Sequence, residues 1–201
     1  SIDKLPSAGG KKDSGSTALS KLSESEIRSL LKSAPKETPA DLFAERPSIN
    51  APYTTGKVTD TALNAALARL NAMRRIAGLP SVTLDDALNE SAQYGAVITA
   101  HNGKLNHHPS KVSDMDDAFY QKAYSATSSS NLAAGYSLVG SVDGFMEDSD
   151  ASNISRVGHR RWQLNPTMGK VGFGVAAENG GYAYVAEKVF DRSGQGCDYD
   201  Y

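Results

Sequence analysis

The chain has 201 residues, a mass of 21.3 kDa and a formal net charge of −2, with 39% hydrophobic and 22% charged side chains. A chain of this size can bury the core of one full-sized domain plus an appendage. The nearly balanced charge argues against a nucleic-acid surface and against a polybasic membrane anchor. Apolar runs are only a few residues long, far short of the roughly 20 that span a bilayer, so no transmembrane segment is predicted.

The single cysteine, Cys197, has no partner in the chain, so no internal disulfide can form. This fits a cytosolic protein, and it fits equally well a bacterial exported protein that does without disulfides. The cysteine count therefore leaves the compartment open.

The first 56 residues are predicted to lie outside the main domain. Residues 1–22 are rich in Ser, Gly and Lys, which is typical of a flexible leader. Ser23 and Glu26 match a capping box, and the apolar spacing that follows predicts a short amphipathic helix over residues 23–33. Three prolines then indicate an extended connector up to residue 56, which we expect to lie over the surface of the main domain.

Residues 57–201 are predicted to form the main domain, which begins with helices. Thr59 or Asp60 is a suitable N-cap for the first helix, and Thr83 is the expected N-cap of the second. Small residues along one face of the second helix predict close packing against a neighbour. The predicted helices cover residues 60–77, residues 84–102, residues 116–124 and residues 139–146.

The far end of the main domain changes to the period of a β-strand. Val171, Phe173 and Val175 alternate with glycines, which suits a strand that another backbone approaches closely. Asn179 and Gly180 are typical of a type I′ turn, so a second strand should complete a hairpin. Helices followed by a hairpin, without βαβ alternation, predict an α+β fold with an antiparallel sheet.

Two neighbouring histidines, His107 and His108, follow the second helix in a predicted loop. Adjacent side chains project in different directions, so at most one of them should enter a given site. A solvated or locally hydrogen-bonded histidine is the simpler interpretation, and duty as a ligand or as an acid or base is the alternative.

Three acids, Glu147, Asp148 and Asp150, lie within four positions. Their spacing resembles the start of a calcium loop, but the glycine at its sixth position and the glutamate at its twelfth are missing, which excludes an EF-hand. An exposed acidic helix terminus is the plain interpretation. Acids at a helix C-terminus oppose the helix dipole, however, so another reason for their presence is expected.

The segment VGHRRW contains His159 and the only tryptophan, Trp162. If the segment is helical, the two side chains share one face, with the indole buried and the imidazole in a cleft. The structural alternative makes Trp162 a core anchor, with Arg160 or Arg161 paired to Asp148 or Asp150 in its neighbourhood.

Common catalytic and cofactor motifs are absent from the sequence. The serines of SATSSSN, residues 125–131, are not part of a G-x-S-x-G elbow, and the sequence does not indicate a Ser-His-Asp arrangement. The absence of a phosphate-binding loop, a Rossmann glycine pattern and C-x-x-C argues against nucleotide, dinucleotide and thiolate-zinc sites.

Four stretches taken in order resemble the CAP superfamily of cysteine-rich secretory proteins, venom allergens and pathogenesis-related proteins. LNAMRRIAGLP followed by LDDALNESAQYGA resembles the opening helix pair of that family. SSNLA corresponds to its Gly-Glu-Asn-Ile-Ala segment, and VGHRRW with KVGFG corresponds to its Gly-His segment and the following Val-Gly-x-Gly strand. The likeness spans about residues 57–190 and is closest to bacterial members.

The resemblance implies an α-β-α sandwich with a small antiparallel sheet between helical layers, and an extracellular or cell-surface location. It also implies a cleft where two histidines and two acids converge, which in several members holds a divalent metal. By position the histidines are His107 and His159, and the second acid is Glu147. The first acid is replaced, because Ser130 precedes Asn131 where the family has glutamate.

The missing acid changes what this cleft is expected to bind. His107, His159 and Glu147 could still hold zinc with water in a fourth place, but the affinity should fall, so no cofactor is firmly predicted. Without metal, these residues could form a hydrogen-bonded cluster with the Ser130 hydroxyl.

The function favoured by the resemblance is a binding or interaction module, more than an enzyme. Its partner would be a small amphipathic ligand, a cell-wall component or a protein. A metal-assisted hydrolase in the same cleft is the first alternative. A purely structural surface module with a vestigial cleft is the second.

Overall fold

The computed structural model describes residues 19–177 and 181–196. The expected turn at Asn179 and Gly180, Cys197 and most of the leader lie outside the described residues. The helices are α1 (Glu24–Ser33), α2 (Asp60–Ile76), α3 (Asp86–Asn102), α4 (Asp117–Thr127), α5 (Leu138–Glu147) and α6 (Gly158–Gln163). The strands are β1 (Phe43–Glu45), β2 (Lys57–Val58), β3 (Thr83–Leu84), β4 (Asn131–Ala134), β5 (Lys170–Ala177) and β6 (Ala183–Lys188). Within the described ranges, none of the helices combines the length and the apolar character needed to cross a membrane.

Most helix starts follow the capping chemistry of the sequence, although α6 begins after Val157, which makes no side-chain cap bond. Ser23 caps α1 in a complete capping box with Glu26, and Thr59 caps α2, both as predicted. The prediction that Thr83 caps α3 is wrong, because the side chain of Asp85 accepts the hydrogen bond from the Leu88 amide. Thr83 belongs instead to β3, where its amide donates to the Gly169 carbonyl and joins the sheet edge.

The main sheet has four strands in the order β3-β5-β6-β4. Strands β5 and β6 are antiparallel, as expected from the predicted hairpin, and β4 is also antiparallel to β6. The short edge strand β3 is parallel to β5, so the expectation of a purely antiparallel sheet is wrong at this edge. The chain runs from β3 to β5 through α3, α4, β4, α5 and α6. A long crossover of this kind can join two parallel strands.

Helices cover both faces of this sheet. On one face, Val171, Phe173 and Val175 of β5 belong to an apolar cluster with buried residues of α2 and α5. On the opposite face, Ala176 and Ala186 pack with small residues of α3. The α+β fold and the α-β-α sandwich are therefore confirmed.

The glycines of β5 allow α3 to approach closely. A Cβ atom at Gly172 would lie 2.2 Å from the backbone carbon of Leu88, and one at Gly174 would lie 2.3 Å from that of Ala92. Any side chain at either position would overlap the helix backbone. The close approach predicted from the alternating glycines is confirmed, and α3 is the approaching element.

The connector before α2 lies on the α3 and α4 layer. The amide of Gln93 on α3 donates to the Thr55 carbonyl over 2.6 Å. The Tyr53 hydroxyl donates to Asp114 over 2.7 Å, and the Tyr53 ring packs edge-on against His101. The connector thus covers the main domain as expected, while the boundary at residue 57 stays a prediction.

Candidate functional site

The loop between α5 and α6 has an uncommon backbone at both ends. Asp148 has φ 51° and Val157 has φ 45°, and these are the two non-glycine residues with positive φ in the described part of the chain. A β-branched residue in this region is an outlier, and such strain persists only where surrounding contacts determine the conformation. The side chain of Asn153 supplies such contacts, since it donates to Asp148 over 2.7 Å and accepts from the Gly158 amide over 3.1 Å.

Asp148 is a buried acceptor at the centre of this loop. Its Oδ1 accepts hydrogen bonds from His159 Nδ1 over 2.8 Å and from Asn153 Nδ2 over 2.7 Å. Its Oδ2 accepts from the backbone amide of Arg160 over 3.2 Å. These donors explain why an acid occupies the C-terminus of α5, where the helix dipole alone would disfavour it.

The imidazole of His159 is oriented by this carboxylate. A carboxylate is an acceptor only, so the contact with Asp148 favours the proton on Nδ1. The amide nitrogen of Asn153 also lies 2.7 Å from Nδ1 and would suit the other tautomer, but a hydrogen bond to a charged carboxylate is the stronger of the two. The neutral ring then has its unprotonated nitrogen at Nε2. The His159 side chain is 25% exposed, and its ring packs against Phe145 with centroids 5.3 Å apart.

His107 reaches the same protonation pattern by different means. Its Nδ1 lies 2.7 Å from the backbone carbonyl of Thr127, at the end of α4, and a carbonyl can only accept. Burial lowers the pKa of His107, and the nearby charge of His159 adds to the lowering. His107 is therefore a neutral imidazole at pH 7, with Nε2 as an acceptor, near enough to His159 to interact electrostatically.

His108 turns away from His107, as expected for adjacent side chains. Its Nδ1 lies 3.2 Å from the Tyr124 hydroxyl, and the two rings are tilted against each other on the outside of α4.

The structure does not bring Glu147 to His159. Glu147 is exposed, and its carboxylate accepts a hydrogen bond from the Ser149 hydroxyl over 3.2 Å. The acid that contacts His159 is the next residue, Asp148. Ser130, at the position of the family glutamate, is buried and donates its hydroxyl proton to the Ala126 carbonyl over 2.7 Å.

One group of three potential metal ligands occurs within the described residues. It comprises Asp148, Asp150 and His159, whose candidate ligand atoms lie within 4.8 Å of one another. His107 and Glu147 do not belong to that group. Asp150 uses its Oδ1 to accept from the amide and the hydroxyl of Ser152, so its lone pairs are partly engaged.

The segment after His159 anchors α6. Trp162 is 4% exposed and packs against Phe190 with ring centroids 4.1 Å apart, which confirms it as a core anchor. The guanidinium of Arg160 donates to the backbone carbonyls of Met146 and Glu147, at the end of α5. Arg160 thus caps a helix C-terminus instead of forming the side-chain pair with an acid that the sequence suggested.

A buried carboxyl group lies behind α6. Glu187 of β6 is fully buried and accepts hydrogen bonds from Asn131 over 3.1 Å and from Gln163 over 2.9 Å. Burial without a cation raises the pKa of Glu187 to about 7. Asn131 also donates to the His159 carbonyl over 3.3 Å, so it links Glu187 to the helix that carries His159.

Sequence reasoning missed Glu187, although the alternation of β6 contained a signal. Val185 and Glu187 are two residues apart and must share a face of the sheet. An acid on the same strand face as a buried valine indicates a polar group inside the core.

The chain resembles known proteins in its structure and in its family profile. The structure is similar to that of an outer surface protein from Borrelia burgdorferi, with 17% sequence identity, a TM-score of 0.41, and coverage of 63% of this chain and 91% of that chain. No curated protein sequence matches the chain. The profile of the cysteine-rich secretory protein family, abbreviated CAP, matches residues 67–188, which is more than half of the chain. The chain therefore belongs to the CAP family.

Proposed function

We propose that this CAP-domain protein is a binding module, and that the recognition site is the cleft between His107 and His159. The CAP family is typically secreted, which supports a location outside the cell or at its surface. The ligand that suits the site is a small amphipathic molecule, a cell-wall component or a protein segment that offers hydrogen-bond donors.

The observation that supports the proposal is that both histidines contact an acceptor of the fold through Nδ1. Each ring uses Nδ1 to donate to an acceptor within the fold, Asp148 in one case and the Thr127 carbonyl in the other. In both rings Nε2 is therefore the nitrogen left for an external group. Rings held in this way are preorganised, so a ligand need not spend binding energy on orienting them.

The predicted donor set of His107, His159 and Glu147 does not fit a catalytic zinc site. Such a site uses three protein ligands and an open position. His107 and His159 have the orienting partners that zinc-bound histidines have. A third ligand is missing from the predicted set, because Glu147 is exposed and Ser130 is bonded to Ala126. In the group of Asp148, Asp150 and His159, the Asp148 carboxylate already accepts three hydrogen bonds, so a binding role is favoured over the metal-assisted hydrolase.

A specific experiment tests the binding role. The protein labelled with ¹⁵N is titrated with a soluble peptidoglycan fragment, a disaccharide carrying a short peptide, and the imidazole resonances are followed. We expect perturbation of Nε2 in both His107 and His159, and at least a tenfold loss of affinity in His107→Gln and in His159→Gln, about 1.4 kcal/mol or more. Glu147→Gln is the matched control and should bind as the unmodified protein does.

Two outcomes contradict the proposal. If the imidazole resonances do not shift at a saturating concentration of the peptidoglycan fragment, the cleft is not the recognition site for cell-wall fragments. Zinc binding by calorimetry that disappears in His159→Ala, together with zinc-dependent ester hydrolysis, would favour the hydrolase instead. Thermal unfolding of each variant separates loss of binding from loss of fold.

A further inference from the structure

Lys188, the last residue of β6, has surroundings that are uncommon for a lysine. Its side chain is half-buried, and within residues 19–177 and 181–196 no carboxylate forms an ion pair with it. Its Nζ donates a hydrogen bond to the hydroxyl of Ser129. Lys188 pairs with Gly172 across the sheet, so it lies on the face that α3 and α4 cover.

We propose that Ser129 and Lys188 form a nucleophile–base pair that reacts with activated esters and related acyl or phosphonyl groups. A serine hydroxyl is a weak nucleophile and needs a base within hydrogen-bonding distance. Lysine serves as that base only when its amine is neutral, which requires a desolvated site without a neighbouring carboxylate. Lys188 meets both conditions.

The local hydrogen bonds fit this role. Burial lowers the pKa of Lys188 to about 8, so a substantial fraction of the amine is neutral in mildly alkaline solution. In the charged state the ammonium donates to Ser129 Oγ, while the hydroxyl proton points to the Ser125 carbonyl, 2.7 Å away. Once Nζ is neutral, the hydroxyl can rotate and donate to it.

The neighbouring serines lack such a base. Ser128 Oγ donates to the Ser125 carbonyl and Ser130 Oγ to the Ala126 carbonyl, so both serve to satisfy the end of α4. Ser130 is also fully buried, whereas Ser129 is half-buried and lies beside the exposed Ser125. Ser129 is therefore the one serine of SATSSSN for which the structure gives both a base and solvent access.

The reaction with an ester balances without a further reagent. Ser129 Oγ bonds to the carbonyl carbon while its proton passes to Lys188 Nζ, and the ester bond to the alcohol breaks. The departing alkoxide takes the proton from the ammonium. Water then hydrolyses the acyl-serine to the carboxylic acid, with Lys188 again accepting and returning a proton.

Labelling with a fluorophosphonate tests the pair in the intact protein. In this reaction Ser129 Oγ bonds to phosphorus, fluoride leaves, and Lys188 takes the hydroxyl proton. We expect one adduct, located by peptide mass spectrometry at Ser129, with a rate that rises as the pH increases through about 8. Ser129→Ala should remove the adduct, while Ser128→Ala should keep it.

Lys188→Arg is the decisive variant, because it keeps the length and the cation but cannot become neutral. We expect its labelling rate to fall at least tenfold, while its melting temperature stays close to that of the unmodified protein. Lys188→Met serves as a second variant, which has neither a charge nor a base. Absence of an adduct at Ser129, or equal labelling in Lys188→Arg, would overturn the proposal. Labelling should also persist in EDTA, and Ser129→Ala should leave binding at the histidine cleft unchanged, so the two proposals fail separately.

Discussion

The two histidines of the proposed cleft are held in different ways. His159 lies at the end of a strained loop and is fixed by a network of side chains centred on the buried Asp148. His107 lies in a plain loop and is fixed by one backbone carbonyl, that of Thr127. The same protonation pattern therefore depends on several replaceable side chains in one case and on the position of a helix end in the other. Substitutions should affect the two sides very differently.

The largest effect is expected for Asp148→Ala. This change leaves three donors without their acceptor, namely the His159 ring, the Asn153 amide and the Arg160 backbone amide. We expect a loss of about 3 to 4 kcal/mol in the free energy of unfolding, measured by urea denaturation. The control is the neighbouring exposed acid: Glu147→Ala should change the stability by about 0.5 kcal/mol or less. A cost for Asp148→Ala no larger than that of the control would contradict the role of the network.

A smaller effect, which depends on pH, is expected for Glu187→Gln behind the His159 helix. The pKa of Glu187 is raised from 4.5 to about 7. Between these pH values the folded state binds a proton that the unfolded state has lost, so the free energy of unfolding of the wild type falls as the pH rises. Above this range Glu187 is ionised in both states and adds no further pH dependence. Glutamine does not titrate, so the substitution would remove this pH-dependent loss of stability. The new amide could also donate to Gln163 Oε1, which has no partner within the described residues.

The measurement is the difference in unfolding free energy between Glu187→Gln and the unmodified protein as a function of pH. We expect the variant to gain on the order of 3 kcal/mol, relative to the wild type, between pH about 4.5 and pH about 7.5. A difference that does not vary with pH would show that the fold does not raise the pKa of Glu187.

His107→Ala should cost less than Asp148→Ala, because it removes one hydrogen bond to a carbonyl that solvent can reach when the ring is gone. About 1 kcal/mol of unfolding free energy is expected, again from urea denaturation. If this variant lost as much stability as Asp148→Ala, the contrast between the two histidines would not hold.

The smallest effect, and of the opposite sign, is expected for Val157→Gly. Glycine adopts positive φ without strain, so the change should release part of the cost of the valine at φ 45°. The gain is offset by the greater entropy of glycine in the unfolded chain, which leaves a net change of about 0.5 kcal/mol. Differential scanning calorimetry would detect it, and a clear drop in melting temperature would mean that the Val157 side chain contributes more by packing than it costs in strain.

Much of the fold followed from local signals in the sequence. The caps at Ser23 and Thr59, the helical period of α2 and the alternation in β5 are properties of neighbouring residues, and the structure confirms them. The sequence predicts the wrong cap for α3 because Thr83 and Asp85 are both good N-caps. The choice between them depends on the pairing of β3 with β5, which lies far away in sequence.

The site shows the same division between local and distant information. Motifs pick out His107 and His159, whose common site stays a prediction, but they do not identify the acid beside His159. Glu147 ends α5, whereas Asp148 takes a left-handed conformation that turns its side chain inward. One backbone angle thus decides which of two adjacent acids meets the imidazole. The pair of Ser129 and Lys188 joins residues 59 positions apart, and no local pattern indicates it.

Both imidazoles are expected to hold a proton at Nδ1 and to present Nε2 to a ligand. Long-range ¹H–¹⁵N correlation spectra of the histidine side chains at about pH 8 distinguish the two tautomers directly. The expected result is the Nδ1–H tautomer for both His107 and His159. Observation of the Nε2–H tautomer at either ring would contradict it.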